Sequence, residues 1–265
     1  MKRLLALLLA LFLCACAALA EEGATLTSGF FEYELNEDGD AVITGYTGTA
    51  SAVAVPPVLD GKKVVAVGKE AFSGLPVAVV HLSEGVTRIG EGAFKNCDKL
   101  ISVILPQSVT VIGKSAFRNC ASLRTLVLPV NIEQIDVGAF FGCEMLVSIT
   151  LPEGLTEISN NLFNGCGNLV QIVVPESVTV IGSTSFMNCV SLTEVTLPET
   201  LTEIRAGAFS GCEVLETLTL PESLSSIGYG AFDSPNLVLS VVKGSYAESF
   251  CKQSKFNYIY TETAE

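Results

Sequence analysis

A chain of 265 residues could hold one or two ordinary domains, yet its inventory of nine cysteines, a single histidine (His81) and no tryptophan gives little from which to build an acid–base or nucleophilic centre. Acidic residues outnumber basic ones by 28 to 15, a formal net charge of −13. That excess repels nucleic acid and anionic membrane surfaces, and no basic patch with interleaved aromatics interrupts it.

The first segment reads as an export signal, residues 1–20. Lys2-Arg3 is the charged start, Leu4 to Leu13 the apolar run, and Ala18-Leu19-Ala20 a small-residue site for cleavage after Ala20, ahead of Glu21-Glu22. A membrane span needs about 20 apolar residues, so none is expected in the mature chain. A competing reading takes Leu13-Cys14-Ala15-Cys16 as a lipobox with a lipid anchor on Cys16, although Cys14 is an odd residue at its place in such a box. Retention of the segment as an uncleaved anchor is the third reading. Cleavage removes Lys2 and Arg3 and leaves 13 basic residues against 28 acidic ones, net −15. The expected destination is outside the cell, secreted or at the surface.

Residues 21–61 read as an N-terminal β cap. Phe31 to Leu35 and Ala41 to Tyr46 are alternating runs around Asn36-Glu-Asp-Gly-Asp40, and Asp-Gly between such runs signals a hairpin. Asn36, Asp38 and Asp40 resemble the opening of a calcium loop. The remaining ligands and the bidentate Glu are missing, so a plain turn is the preferred reading.

From residue 62 to 242 one unit recurs. Phe72, Phe94, Phe117, Phe140, Phe163, Phe186, Phe209 and Phe232 follow at one interval of 22 residues and six of 23. Cys97, Cys120, Cys143, Cys166, Cys189 and Cys212 keep the same step, as do ladders of Leu from Leu100 to Leu215 and of Ile from Ile89 to Ile227. A fixed period in the twenties with Leu, Ile, Phe and Cys in register is the signature of a leucine-rich-repeat solenoid, one elongated domain with a continuous core. The fold class expected is therefore an α/β leucine-rich-repeat solenoid, β-dominated, with short strands and short helical turns. Within each unit a stretch such as Leu100 to Pro106 reads as a strand, with Leu100, Val103 and Leu105 inward and Ser102 and Ile104 outward. Pro106 and its equivalents end it, since proline cannot donate to a ladder. Gly113, with Gly90, Gly182 and Gly228, is expected to permit a tight corner, and Ala116 to Cys120 to turn back as a short helical or irregular turn. Residues 243–265 read as a C-terminal cap, a short helix N-capped by Ser245 followed by a closing strand from Phe256 to Tyr260.

The unit Leu-Pro-x-x-Val-Thr-x-Ile-Gly-x-x-Ala-Phe-x-x-Cys-x-x-Leu-x-x-Val-x-Leu-Pro resembles the BspA-type leucine-rich repeat of bacterial exported and surface proteins, over roughly residues 30–260. Asp136, Ser159 and Arg205 depart from it at the corner glycine. The resemblance implies a cell-surface or secreted binding protein, often an adhesin for host or neighbouring-cell proteins, with no catalytic residues to transfer.

Cysteines one rung apart lie about 5 Å from each other, within reach of a disulfide. Parallel side chains in a dry core favour a reduced ladder over rung-to-rung bridges, and a line of thiols suits zinc poorly. No catalytic, cofactor or metal site is expected. Leu197-Pro-Glu-Thr-Leu201 nearly matches a cell-wall sorting signal, but lies mid-chain with Leu201 where glycine is required. The outward strand positions, Ser102/Ile104, Thr125/Val127, Ser148/Thr150, Gln171/Val173, Glu194/Thr196 and Thr217/Thr219, form a nearly uncharged face beside an acidic row, Glu153, Glu176, Glu199 and Glu222. Its largest break is Gln171 and Glu194, with Thr196, Glu176 and Glu199 alongside. These five residues are the candidate site for a protein partner. Carbohydrate or matrix binding, opposed by the shortage of free aromatics, and a structural envelope role are the alternatives.

Overall fold

One turn of chain per 23 residues brings like residues directly over one another, and the aromatic column shows how tightly. In the computed structural model, which describes residues 24–261, the eight repeat phenylalanines stack with centroids 5.1–5.8 Å apart and planes within 18°. Tyr46 continues the column at one end, 5.6 Å from Phe72. At the other end Phe250 and Phe256 meet Phe232 edge-on at 6.3 and 6.1 Å. Such pairs contribute about 0.5–1.5 kcal/mol each beyond the area they bury. Around the column lie the Leu, Ile, Val and Cys ladders, nearly all fully buried.

The N-terminal hairpin, β1 (Leu26–Ser28), β2 (Phe31–Leu35) and β3 (Ala41–Tyr46), is antiparallel. Asn36 Oδ1 accepts from the N–H groups of Asp38 and Asp40, so the turn absorbs the side chain that opened the calcium-like pattern. After β4 (Ala52–Val55), a second hairpin joins β5 (Val58–Leu59) to β6 (Lys62–Val67) through Asp60-Gly61, both at positive φ, a two-residue loop suited to this turn. The repeats then alternate between two faces. The front face carries β4, β7 (Val79–Leu82), β9 (Ser102–Ile104), β13 (Gln171–Val173), β15 (Glu194–Thr196), β17 (Thr217–Thr219) and β19 (Val238–Val241). The return face carries β6, β8 (Arg88–Ile89), β10 (Val111–Ile112), β11 (Gln134–Ile135), β12 (Glu157–Ile158), β14 (Val180–Ile181), β16 (Glu203–Ile204) and β18 (Ser226–Ile227). The front sheet thus begins at β4, which pairs in parallel with β7. At the far end α1 (Tyr246–Ser254), N-capped by Ser245, leads into β20 (Asn257–Tyr260), which pairs with β19.

The corners differ from the sequence expectation in their mechanism. They are chains of turns, with Ala116 N–H donating to Gly113 C=O, Arg118 to Ser115, and Cys120 to Phe117; α1 is the α-helix among the described residues. One set of left-handed positions lies two residues before each phenylalanine, where Glu70, Gly92, Ser115, Gly138, Asn161, Thr184, Gly207 and Gly230 have φ between 54° and 65°, and a second lies two residues after, at Gly74, Asn96, Asn119, Gly142, Gly165, Asn188 and Gly211. Gly113 is needed for another reason: a Cβ there would lie 2.9 Å from the carbonyl carbon of Gly90 and 3.0 Å from the oxygen of Ile89. The glycine allows one rung to approach the next.

That close approach explains an opening in the return sheet. Gly113 stacks on Gly90, Asp136 on Gly113, Gly182 on Ser159, Arg205 on Gly182 and Gly228 on Arg205, so each of these steps has at least one glycine and each pairs normally. Ser159 over Asp136 is the step with two side chains, and there β11 and β12 do not pair. Elsewhere the residue at this position donates its N–H to the rung below, as Gly182 does to Ile158 at 2.7 Å. At the opening the Ser159 hydroxyl takes that role, donating to Ile135 C=O at 2.5 Å. The gap, about 270 Å³, is lined by Glu133, Gln134, Asp136, Thr156, Glu157 and Ser159.

The cysteine column is reduced. All seven described cysteines are free and buried, and each repeat thiol donates to the phenylalanine carbonyl of the preceding rung at 2.9–3.2 Å. Burial pushes Cys97 up to about 11 and Cys143 and Cys212 to about 12, and moves Cys120, Cys166 and Cys189 in the same direction. Since the thiolate is the reactive form, the folded protein is expected to react slowly with a thiol reagent even at mildly alkaline pH. Denatured without reductant, the mature protein should yield about seven thiols, one for each described cysteine; a yield of one would show that bridges form. Phe163→Ala, deep in the aromatic column, is expected to lower stability by about 3–5 kcal/mol, read from denaturant melts. Amide exchange checks the opening: Thr156 and Ser159 should exchange faster than their counterparts Thr179 and Gly182, by roughly the factor of five that a net hydrogen bond of about 1 kcal/mol provides. Ser159→Gly should narrow that difference, and equal protection in the parent protein would refute the opening.

Candidate functional site

The front face is built by strands whose alternate side chains point outward. Register pairing sets Gln171 opposite Glu194 and Val173 opposite Thr196 on β13 and β15. All four are exposed, as are Glu176 and Glu199 just beyond the strand ends. The structure thus brings the five candidate residues onto two neighbouring rungs. The proline that follows each strand sets the edge row: Pro175 and Pro198 are buried while the next residue, Glu176 or Glu199, is solvent-facing.

The sheet carrying them is less continuous than the repeat implies. Rungs pair from β4 through β9, from β13 to β15, and from β17 through β20. Between β9 and β13 the chain at 125–127 and 148–150 forms no strand and a single bridge joins Thr125 to Ser148, while β15 and β17 are strands that do not pair with each other. No main-chain hydrogen bond links residues 148–151 to residues 171–174. A shallow slot of about 300 Å³ opens there, lined by Ser148, Ile149, Thr150, Leu151, Glu153, Gln171, Val173 and Pro175. It adjoins the candidate patch and shares Gln171 with it. Unpaired main-chain donors and acceptors in this slot are available to a partner, as they would be at a sheet edge.

Charge is distributed unevenly along the solenoid. From Thr125 to Ile204 there is no Lys or Arg and there are nine Asp and Glu residues. The basic residues upstream are partly engaged: Lys69 pairs with Glu91, Lys95 with Glu70 and Lys99 with Asp98. Glu153, Glu176, Glu194 and Glu199 form no ion pair among the described residues. The middle of the front face therefore presents an uncompensated negative field. One feature was not recognised from sequence. The edge row extends back through Val130 and Gln107, so the acidic stripe ends at Glu153 and gives way to an aliphatic area of Ile104, Val127 and Val130, which are 51, 80 and 76% exposed. Reading the row backwards from Glu153 at the repeat step would have shown it.

His81 lies exposed on β7, far along the front row from the acidic stripe. No three His, Cys, Asp or Glu side chains among the described residues are grouped to hold a metal ion. No helix among them is long and apolar enough to cross a membrane. Ala20 and Cys16, which bear on processing and lipidation, lie outside the described residues.

Comparison with known proteins agrees with this architecture. The model of the BspA type leucine rich repeat region matches residues 65–192 and 156–260, in six copies. A leucine rich repeat protein of Treponema pallidum is 31% identical, with a TM-score of 0.61, covering 91% of this chain and all of that one. A leucine rich cell surface protein of Faecalibacterium prausnitzii shares the fold at 21% identity and a TM-score of 0.58, covering 92% of this chain and 97% of that one. A leucine-rich repeat protein of Bacteroides ovatus does so at 21% identity and a TM-score of 0.50, covering 89% and 100%. No curated protein matches. With its repeats matched across most of its length and 91% of the chain aligned to a protein of that fold at 31% identity, the chain belongs to the BspA-type leucine-rich repeat family.

Proposed function

We propose that this protein is an exported, non-catalytic binding module, secreted or held at the cell surface, that engages a partner protein in an adhesin-like role. The partner docks across the acidic middle of the front face. The observation that carries the reading is the pairing of Gln171 with Glu194 beside Glu176 and Glu199, with no basic residue between Thr125 and Ile204 to neutralise them. A rigid, solvent-facing row of carboxylates favours a basic partner and a salt-sensitive association rate. The slot along Ser148 to Leu151 supplies main-chain groups beside that row, and the exposed valine and isoleucine side chains supply apolar contact next to it. Energy at such interfaces concentrates in a few central residues, and Gln171, Glu194 and Thr196 are the central ones here. The family resemblance and the cell-surface description of the Faecalibacterium protein support export, and the leader at residues 1–20 would direct it.

The test begins with affinity capture by the mature protein on host and bacterial extracts, followed by titration of the captured partner. The double substitution Glu194→Lys and Glu199→Lys is expected to leave the melting temperature unchanged, since both side chains are exposed. It should weaken binding by more than about 1 kcal/mol, a fivefold or greater rise in Kd. Unchanged affinity in this variant, with loss of binding on altering Arg118 or Arg205, would move the site to the return side.

A further inference from the structure

The two ends of this solenoid are finished differently, and the last front-face strand has no partner on its outer side among the described residues. On the return face the N-terminal edge is covered by the β1–β2 hairpin. At the C-terminal edge of that face the Tyr246 hydroxyl accepts from Ile227 N–H on β18 at 3.3 Å. On the front face β4 runs into Pro56-Pro57, and proline is a usual guard of an edge. β20 has no such device. It pairs with β19 on one side and with no strand on the other among the described residues. Its sequence Asn257-Tyr-Ile-Tyr260 has no charge and no proline, and its register to β19 runs without a bulge. Ile259 and Tyr260 are 57 and 47% exposed.

The orientation of the free groups follows from the pairing. Thr261 N–H donates to Val241 C=O at 3.0 Å, and main-chain groups alternate in direction along a parallel pair. Asn257 and Ile259 therefore face β19, and the N–H and C=O of Tyr258 and Tyr260 face outward. The strand is also held rigidly. Tyr260 Oη donates to Glu248 Oε1 at 2.7 Å, Gly244 N–H donates to Glu248 Oε2 at 2.7 Å, and Lys252 Nζ lies 2.6 Å from Oε1. Together these partners, Lys252 first, hold the Glu248 carboxyl down at about 2. A fixed edge loses little conformational freedom on docking.

We infer that β20 is a self-association edge, on which a second copy of this chain adds its own β20 antiparallel about a two-fold axis through Ile259. In that register Tyr258 of one copy lies opposite Tyr260 of the other. Both present their main-chain groups outward, as a hydrogen-bonded pair requires. The two Ile259 residues then meet at the non-hydrogen-bonded position on the front face, where opposed side chains pack closely. The strand is thus complementary to itself, which is what an isologous contact demands. The two front sheets become one, and two acidic faces are offered to a partner in a fixed relation, so that the proposed binding gains by avidity. The association does not depend on that binding reading, and its test needs no ligand.

Sedimentation of the mature protein over a concentration series is expected to show twice the chain mass at high concentration. Ile259→Lys, which places a charge on the edge, should abolish the dimer, whereas Thr219→Lys on the same outward row should not. A protein that stays monomeric, a dimer that survives Ile259→Lys, or loss with Thr219→Lys would each overturn the inference, as would an open-ended series of larger species. Ile259→Cys provides a readout that does not depend on a destabilising charge. Opposed residues at a non-hydrogen-bonded position lie about 4.5 Å apart between Cα atoms, within disulfide range, and the native thiols are buried. Mild oxidation should therefore give a covalent dimer that Thr219→Cys does not form. Absence of that cross-link would exclude the two-fold register.

Discussion

Everything in this molecule answers to one spacing, the distance from a rung to its neighbour. Main-chain hydrogen bonds hold strands at about 4.7–4.9 Å, while the phenylalanine rings stack at 5.1–5.8 Å. The two requirements are nearly but not fully compatible. The identity of any residue is then decided mainly by its own equivalent one rung away. This is why a cysteine recurs at six successive rungs: a small thiol fits the dry core, and its Sγ–H donates to the phenylalanine carbonyl of the preceding rung, which also accepts that rung's own cysteine N–H. A larger side chain at this position would force apart the rungs above and below.

The same rule accounts for the faults. On the return face one glycine per step is enough, because a single Cβ can be accommodated over a bare backbone. Two successive side chains, Asp136 and Ser159, open the ladder, and the serine hydroxyl partly mends it. On the front face the steps at 125–127 and 148–150 slip out of strand geometry although Leu123, Leu126, Leu146 and Ile149 remain buried. Core packing is thus retained through the middle of the array while its hydrogen bonding is relaxed. A sheet loosened there leaves main-chain groups free beside the most acidic part of the surface.

Much of this was legible from the residues. The phenylalanine, leucine and isoleucine ladders fixed the period, the inward and outward alternation of the strands held, and Ser245 caps α1 as its position suggested. What could not be read was local geometry that depends on neighbours in space. Gly113 looked like a turn residue, whereas its φ is ordinary and its lack of a Cβ serves the contact with Gly90. The left-handed positions before each phenylalanine were hidden because Glu70, Ser115 and Thr184 occupy some of them, residue types that single-site propensity assigns elsewhere. β4 escaped notice because Ala52 to Val55 lacks the leucines of later rungs, although its pairing with β7 is complete. The outward placement of Gln171 and Glu194 followed from period-two alternation, but the slot beside them arises from a missing ladder step between rungs that no single unit encodes.

The acidic row shows how such a scaffold can hold a surface that does not favour its own folding. Glu153, Glu176, Glu199 and Glu222 recur at the rung spacing, and neighbours about 5 Å apart repel by about 0.8 kcal/mol in water before salt screening. No lysine or arginine lies between Glu153 and Glu199, and Arg205, before Glu222, pairs with Glu203. Elsewhere the chain places its basic residues where they meet carboxylates, as Lys69 and Lys95 do. Repulsion along the row is small against the burial of a core phenylalanine at each rung, which is worth about 3–5 kcal/mol by truncation. The ladder therefore holds the carboxylates together at a modest cost. A basic partner would remove that repulsion on binding, so the strain of the free face adds to the affinity of the occupied one, and the gain shrinks as salt screens both.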